Sequence, residues 1–218
     1  MRRWIDLAHP YTELMTHQPV TGPPCIRTVL EVGRDPFNLQ EFTFVTHLGT
    51  HVDAPLHFFP GGRTIDQFPL EALVGPGWVL PVEKGRGEPI SARDLEATGA
   101  RVEPGQIVVI ATGWSRHFST PEYLSHPFLT EDAADWLLGR GVKLVGVDTF
   151  SVDLPVPLRP ANFDWPIHHR LLGREVVIAE NLTGLEGLAG RQVTIGAFPL
   201  KIAGGDGAPA RVFALLEE

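Results

Sequence analysis

Short apolar runs rich in β-branched residues recur along this chain at residues 4–7, 26–32, 39–45, 78–82, 107–111, 144–147, 176–179, 193–202 and 212–216, each bounded by glycine, proline or charge. Runs of that length and make-up read as strands. Helical patterns are few and short. One covers 91–98 and opens Ser91-Ala92-Arg93-Asp94, in the manner of a capping box. Another covers 130–139, with a threonine at its start and acids in its first turn, and a third helical turn is predicted at 168–173. Many strands with few helices predict a mixed α/β fold, a single domain dominated by sheet, rather than a regular alternation of strand and helix. The Gly/Pro-rich stretches 19–24, 60–63, 155–166 and 204–209 are predicted to be surface connections or site rims. Nothing divides the chain, so residues 1–218 are expected to form one domain.

Composition narrows the function. With 218 residues, 43% of them hydrophobic, the chain can bury a sizeable core. A net charge of -8, from 18 basic and 26 acidic residues, leaves no footprint for a nucleic-acid or anionic-membrane binder, and a small molecule is the expected partner. The one cysteine, Cys25, excludes an internal disulfide framework and any thiolate-rich zinc site; it is expected to be a small, half-buried hydrophobe in a reducing compartment. The first residues lack the apolar stretch of a secretory signal, and no apolar run approaches the roughly 20 residues of a membrane span. A cytoplasmic protein is the expectation.

The chemistry is concentrated in residues 47–57, where His47, His51 and His57 fall with Asp53 in one short segment. The segment runs into Pro55, which no helix interior accommodates, so an extended backbone is predicted. Side chains then alternate, and His47, His51 and Asp53 would share a face. Imidazole plus carboxylate suits zinc, manganese or iron, and the absence of cysteine favours a catalytic site with an open position over a closed structural one. Gly49 would let the backbone turn close to a metal.

The segment His47-Leu48-Gly49-Thr50-His51-Val52-Asp53-Ala54-Pro55-Leu56-His57 resembles the His-x-Gly-Thr-His-x-Asp-x-Pro-x-His signature of the Putative cyclase family, which includes bacterial kynurenine formamidases (arylformamidases) and isatin hydrolases. Weaker likenesses follow in the family's order: Trp4-Ile5-Asp6-Leu7 with His9-Pro10, Thr112-Gly113-Trp114, Gly146-Val147-Asp148-Thr149, His168-His169-Arg170-Leu171-Leu172-Gly173 and Val177-Ile178-Ala179-Glu180-Asn181-Leu182. The resemblance implies a cyclase-like swivelling β/β/α fold and a metal-dependent hydrolase of carbon–nitrogen bonds other than peptide bonds. On its formamidase branch it implies two zinc ions per chain, with manganese the alternative. His47 and His51 would bind one metal, Asp53 would bridge both, and His168 and Glu180 would complete the set with the glutamate also bridging. His57 would donate and accept the proton. His168 is preferred to His169 because it falls in register without a gap. Glutamate rather than glutamine at 180 favours this branch over the isatin hydrolases, for which one manganese is implied.

No Gly-x-Ser-x-Gly elbow is present, so a serine-based route to formamide hydrolysis has no support. The implied reaction is hydrolysis of N-formyl-L-kynurenine to L-kynurenine and formate, in tryptophan catabolism. A cyclic amide or imide of the isatin kind is the alternative substrate. The family's tryptophan in a Trp-Pro-Gly context is replaced here by Thr16-His17-Gln18-Pro19, which makes His17 a candidate substrate contact. Aromatic walls could come from Phe58, Phe59, Trp114, Phe150, Phe163 or Trp165. The family's habit of assembly implies a homodimer or larger homo-oligomer, closed across the 155–166 loop. Two readings compete from other classes. A mononuclear iron oxygenase would use His51, Asp53 and His168 but give no role to His47, His57 or Glu180. A non-catalytic module would keep the metal or ligand without turnover.

Overall fold

The structure, a computed structural model, describes residues 2–217. Twelve strands and four α-helices follow in the order β1 (Arg2–Asp6), β2 (Cys25–Leu30), β3 (Leu39–Thr43), β4 (His51–Asp53), α1 (Leu70–Leu73), β5 (Val74–Pro81), β6 (Pro89–Ile90), α2 (Ala92–Ala97), β7 (Ile107–Ala111), β8 (Phe128–Leu129), α3 (Glu131–Gly139), β9 (Leu144–Val147), α4 (Pro166–Leu172), β10 (Val177–Glu180), β11 (Gln192–Pro199) and β12 (Gly207–Glu217). The main sheet runs β1-β12-β11-β5-β7-β9-β10-β4, and β4 pairs with β12 as well as β10, so the sheet closes on itself. Strands β5, β7, β9 and β10 are mutually parallel, whereas β4, β11 and β12 join the closure antiparallel. This is the mixed, sheet-dominated fold expected, with its edges removed by closure.

The period-two pattern of each strand divides the core. Ile107, Val109, Leu144, Val177, Ala179, Val52, Ala208 and Val212 form one buried cluster that fills the barrel. Their strand neighbours Val108, Ile110, Val145, Val147 and Ile178 belong to a second cluster with Leu95 of α2, Ala133 and Leu137 of α3, and Ile167 and Leu171 of α4. Both faces of these strands are covered, which is why they read as unbroken apolar runs.

Several boundaries differ from expectation for local reasons. Strand β12 begins at Gly207 rather than 212, inside a stretch expected to be loop, because its Gly-Ala-Pro start imitates a turn while pairing with β4. Strand β11 stops at Pro199, and α4 starts at Pro166, the first helical turn being where proline is tolerated. Ser91 and Asp94 form the expected capping box of α2. Thr130 occupies the N-cap of α3 without capping it, its hydroxyl being directed to the Asp132 carboxylate and the Ile90 carbonyl. Cys25 is exposed rather than half-buried, because the β2–β3 hairpin is a separate two-stranded sheet whose residues are largely exposed. Among the described residues no helix is long and apolar enough to cross a membrane.

Candidate metal centre

Strand β4 is only three residues long, yet it fixes the site. Its middle residue, Val52, is buried in the barrel, so His51 and Asp53 leave on the outer face. Across the sheet His51 stands opposite Glu180 of β10, and Asp53 stands opposite Gly207 of β12. A slip of one residue would expose Val52, losing about 1.5–3 kcal/mol of burial, and would drive the Asp53 carboxylate among apolar groups at a cost of several kcal/mol more. The register is therefore strongly specified.

His47 arrives differently from expectation. Residues 47–50 are not strand; the chain turns at Gly49, whose φ is +57°. That left-handed φ favours glycine, and a Cβ there would stand 2.3 Å from Met15 Cε, the end of a flexible side chain that would have to shift. The bend lays the His47 ring over Gly207, where a Cβ would come within 2.6 Å of His47 Cε1. His57 ends a one-turn 3-10 helix (Pro55–His57), and its ring stacks on that of His47 at 3.7 Å and 21°. His168 is buried on α4, while the neighbouring His169 is exposed with Nδ1 turned to the Trp165 carbonyl. Of the adjacent pair, His168 is the one that faces Asp53 and Glu180. His17 is hydrogen-bonded to the carbonyl of the adjacent Gln18, and among the described residues no hydrogen bond joins it to the cluster.

The side chains converge on Asp53. His47 Nδ1 lies 2.6 Å and His51 Nε2 3.1 Å from its Oδ1, and His168 Nε2 lies 3.5 Å from its Oδ2. Glu180 Oε2 is 3.6 Å from His51 Nε2, and Oε1 is 3.4 Å from His168 Nε2. Glu180 Oε1 also accepts the Val152 N–H at 3.0 Å, which holds the carboxylate inward. Two sets of ligand atoms lie within 4.8 Å of one another: His47, Asp53 and His57, and His51, Asp53 and Glu180. The grouping departs from the one the resemblance implies, since it brings His57 as close as a ligand. Both sets share Asp53.

Charge in the cluster is unevenly matched. Burial opposes protonation of His47, but Asp53 and Asp206 overcome it and lift the ring to about 9. Burial alone dominates His57 and lowers it to about 4, so that ring is neutral. Burial also disfavours the Asp53 anion, yet His51 and His47 hold its carboxyl well below the usual range. The metal-free protein keeps a proton between His47 and Asp53, in a place suited to a cation.

Whether a divalent metal fits can be tested on the donors themselves. Asp53 Oδ2 is fully buried and has no hydrogen-bond partner. An orphaned carboxylate oxygen is costly unless a cation meets it. His51 Nδ1 donates to the Gly49 carbonyl at 2.7 Å, and His168 Nδ1 donates to Asp153 at 2.5 Å, so both rings offer Nε2 lone pairs to the cluster. Orientation of a ligating imidazole through its second nitrogen is the usual support of a metal site. The residues fit the group.

Two members escaped the sequence reading. Asp153 accepts from the N–H groups of Ile167 and His168 as well as from the His168 ring, fixing the start of α4. Asp206 lies 3.0 Å from His47 Nε2. Asp153 follows the mixed stretch Asp148-Thr149-Phe150-Ser151-Val152 after β9, and Asp206 sits between Gly205 and Gly207, where an acid ordinarily marks a turn. The only signal for either was that the motif histidines need orienting carboxylates.

Fold and site together define a metal-dependent hydrolase: a closed sheet carrying a buried His/Asp/Glu cluster with one orphaned carboxylate oxygen. The Putative cyclase family model matches residues 5–154, and the chain belongs to that family. It is 38% identical over 178 residues to a kynurenine formamidase of Salinibacter ruber, covering 80% of this chain and 78% of that one. Among solved structures it is similar to isatin hydrolase A from Ralstonia solanacearum, with a TM-score of 0.87, 27% identity and coverage of 99% of this chain and 92% of that one. A structure described as a potential metal-dependent hydrolase with cyclase activity matches with a TM-score of 0.82 and 28% identity, covering 100% of both chains.

Proposed function

We propose that the whole chain, as one domain, is an arylformamidase that hydrolyses N-formyl-L-kynurenine with two zinc ions held by His47, His51, Asp53, His168 and Glu180. Asp53 carries this reading: its two oxygens face different histidines, one oxygen is orphaned, and Glu180 faces His51 and His168 as a second buried carboxylate. When bound, the metals supply a Lewis acid and acidify water from a pKa of about 15.7 to about 7. The chain's residues do the rest. Asp53 and Glu180 would balance the charge, and the neutral His57 ring would take a proton from the attacking water and hand it to the departing nitrogen. Phe58, whose ring lies 4.8 Å from His168 and 6.2 Å from Trp165, forms an aryl wall beside the centre. Trp165 holds a left-handed conformation, φ 50° and ψ 60°, at the N-cap of α4. Such a conformation costs a non-glycine residue about 1–2 kcal/mol, a strain that the anchoring of Ile167 and His168 on Asp153 sustains.

The alternative within the family is opening of a cyclic amide of the isatin kind, which the structural likeness to isatin hydrolase A favours. Comparing kcat/KM for N-formylkynurenine and isatin on metal-loaded protein separates them. Preference for the formamide supports the proposal, preference for isatin assigns the alternative, and turnover of neither leaves a binding module. An iron oxygenase gives no role to His47, His57 or Glu180. A cytoplasmic location suits the free thiol of Cys25. Assembly as a homodimer or larger accounts for Phe42, Phe44, Phe198 and Leu200, which line an apolar groove of about 590 Å³ between the hairpin and the barrel and are left exposed.

A further inference from the structure

We propose that Asp206 is the positioning residue of His47, one carboxylate oxygen setting which nitrogen that ring presents. Its Oδ1 accepts from the Thr46 hydroxyl at 2.9 Å, which leaves Oδ2 to the rings. Oδ2 lies 3.0 Å from His47 Nε2 and 3.6 Å from His57 Nδ1. Because the two rings are stacked at 3.7 Å, one oxygen can face the edges of both. The backbone is equally fixed: the Asp206 carbonyl accepts from Ala54 N–H at 2.9 Å, and the next residue, Gly207, pairs with Asp53. Asp206 is therefore anchored to the same short segment that carries the metal-binding residues.

The consequence is chemical. An imidazole that donates Nε2–H to Asp206 has only Nδ1 to offer as a ligand, and His47 Nδ1 is the atom that faces Asp53. His57 Nδ1, 3.6 Å from the same oxygen, is beyond hydrogen-bond distance, and its ring is held by stacking on His47. A neutral acceptor would hold the His47 tautomer less firmly, because hydrogen bonds to a charged acceptor are about twice as strong. Loss of such an orienting carboxylate typically costs 10–100-fold in metal affinity or activity. This inference rests on the metal-hydrolase reading for the identity of the group that meets Nδ1, but not for the hydrogen bonds.

The test is Asp206→Asn beside Thr46→Val, which only frees Oδ1 and serves if the first variant fails to fold. Zinc affinity is measured by chelator competition, imidazole tautomers by nitrogen-15 NMR of the zinc-loaded protein, and kcat separately from KM. For Asp206→Asn the expected result is unchanged zinc stoichiometry, affinity and kcat each reduced about 10–100-fold, KM near wild type, and loss of the single Nε2–H signature of His47. Thr46→Val is expected to show smaller changes in the same directions. Wild-type affinity and tautomers in both variants would overturn the proposal, as would loss of a whole zinc equivalent, which would make Asp206 a ligand. A wild-type protein that binds zinc yet hydrolyses no amide would sink the functional reading, while the affinity and NMR comparison would still judge Asp206.

Discussion

His51 and Glu180 are direct cross-strand partners on β4 and β10, with Nε2 and Oε2 3.6 Å apart on the outer face of the barrel. The pair joins the motif segment to a strand from the far end of the chain, so the centre exists only once the sheet has closed. Replacing Glu180 by Gln keeps its volume and removes its charge. The expected outcome is loss of one metal equivalent with the fold retained, read by metal analysis and circular dichroism; full metal content would remove Glu180 from the ligand set.

His57→Ala separates proton transfer from ligation. If the ring relays the proton, turnover is abolished while metal content stays close to wild type. If metal is lost instead, the closeness of His57 to Asp53 reflects ligation, and the proton carrier lies elsewhere.

Asp153→Ala tests the support of His168. The substitution leaves the N–H groups of Ile167 and His168 and the His168 ring without their acceptor in a buried place. An unsatisfied buried donor costs about 1–3 kcal/mol. A fall in thermal stability of the metal-free protein, together with weaker metal binding, is expected; no change in either would mean that Asp153 does not orient the ring.

The metal-free protein should have a characteristic pH dependence. His57 is lowered to about 4 from 6.5, so the unfolded chain binds its proton more readily, and stability falls as pH drops from about 6.5 towards 4. His47 is raised to about 9, so its contribution is complete below pH 6.5 and is lost as pH rises through about 9. Together they place maximum stability near pH 6.5, measurable by denaturant titration across that range. A metal that displaces the His47 proton should also bind more tightly as pH rises towards 9.

Much of this was legible in the sequence because the strands buried on both faces announce themselves as apolar runs, and Ser91 and Asp94 mark a helix start. The motif histidines were legible because they are crowded into residues 47–57. What stayed hidden depends on contacts distant in sequence. The start of β12 at Gly207 looks like a turn until His47 is seen lying over it, and Asp206 looks like a loop acid until the bend at Gly49 brings that ring within reach. The extended path expected from 47 to 53 failed for the same reason: one left-handed glycine, not strand alternation, delivers His47.

The most direct test of the account is the number of zinc ions bound tightly per chain by the wild-type protein, measured by titrating the metal-stripped form while following hydrolysis of N-formylkynurenine in the same sample. Two equivalents are expected, with hydrolysis appearing as the centre fills. Saturation without hydrolysis, or no tight binding at all, would contradict it.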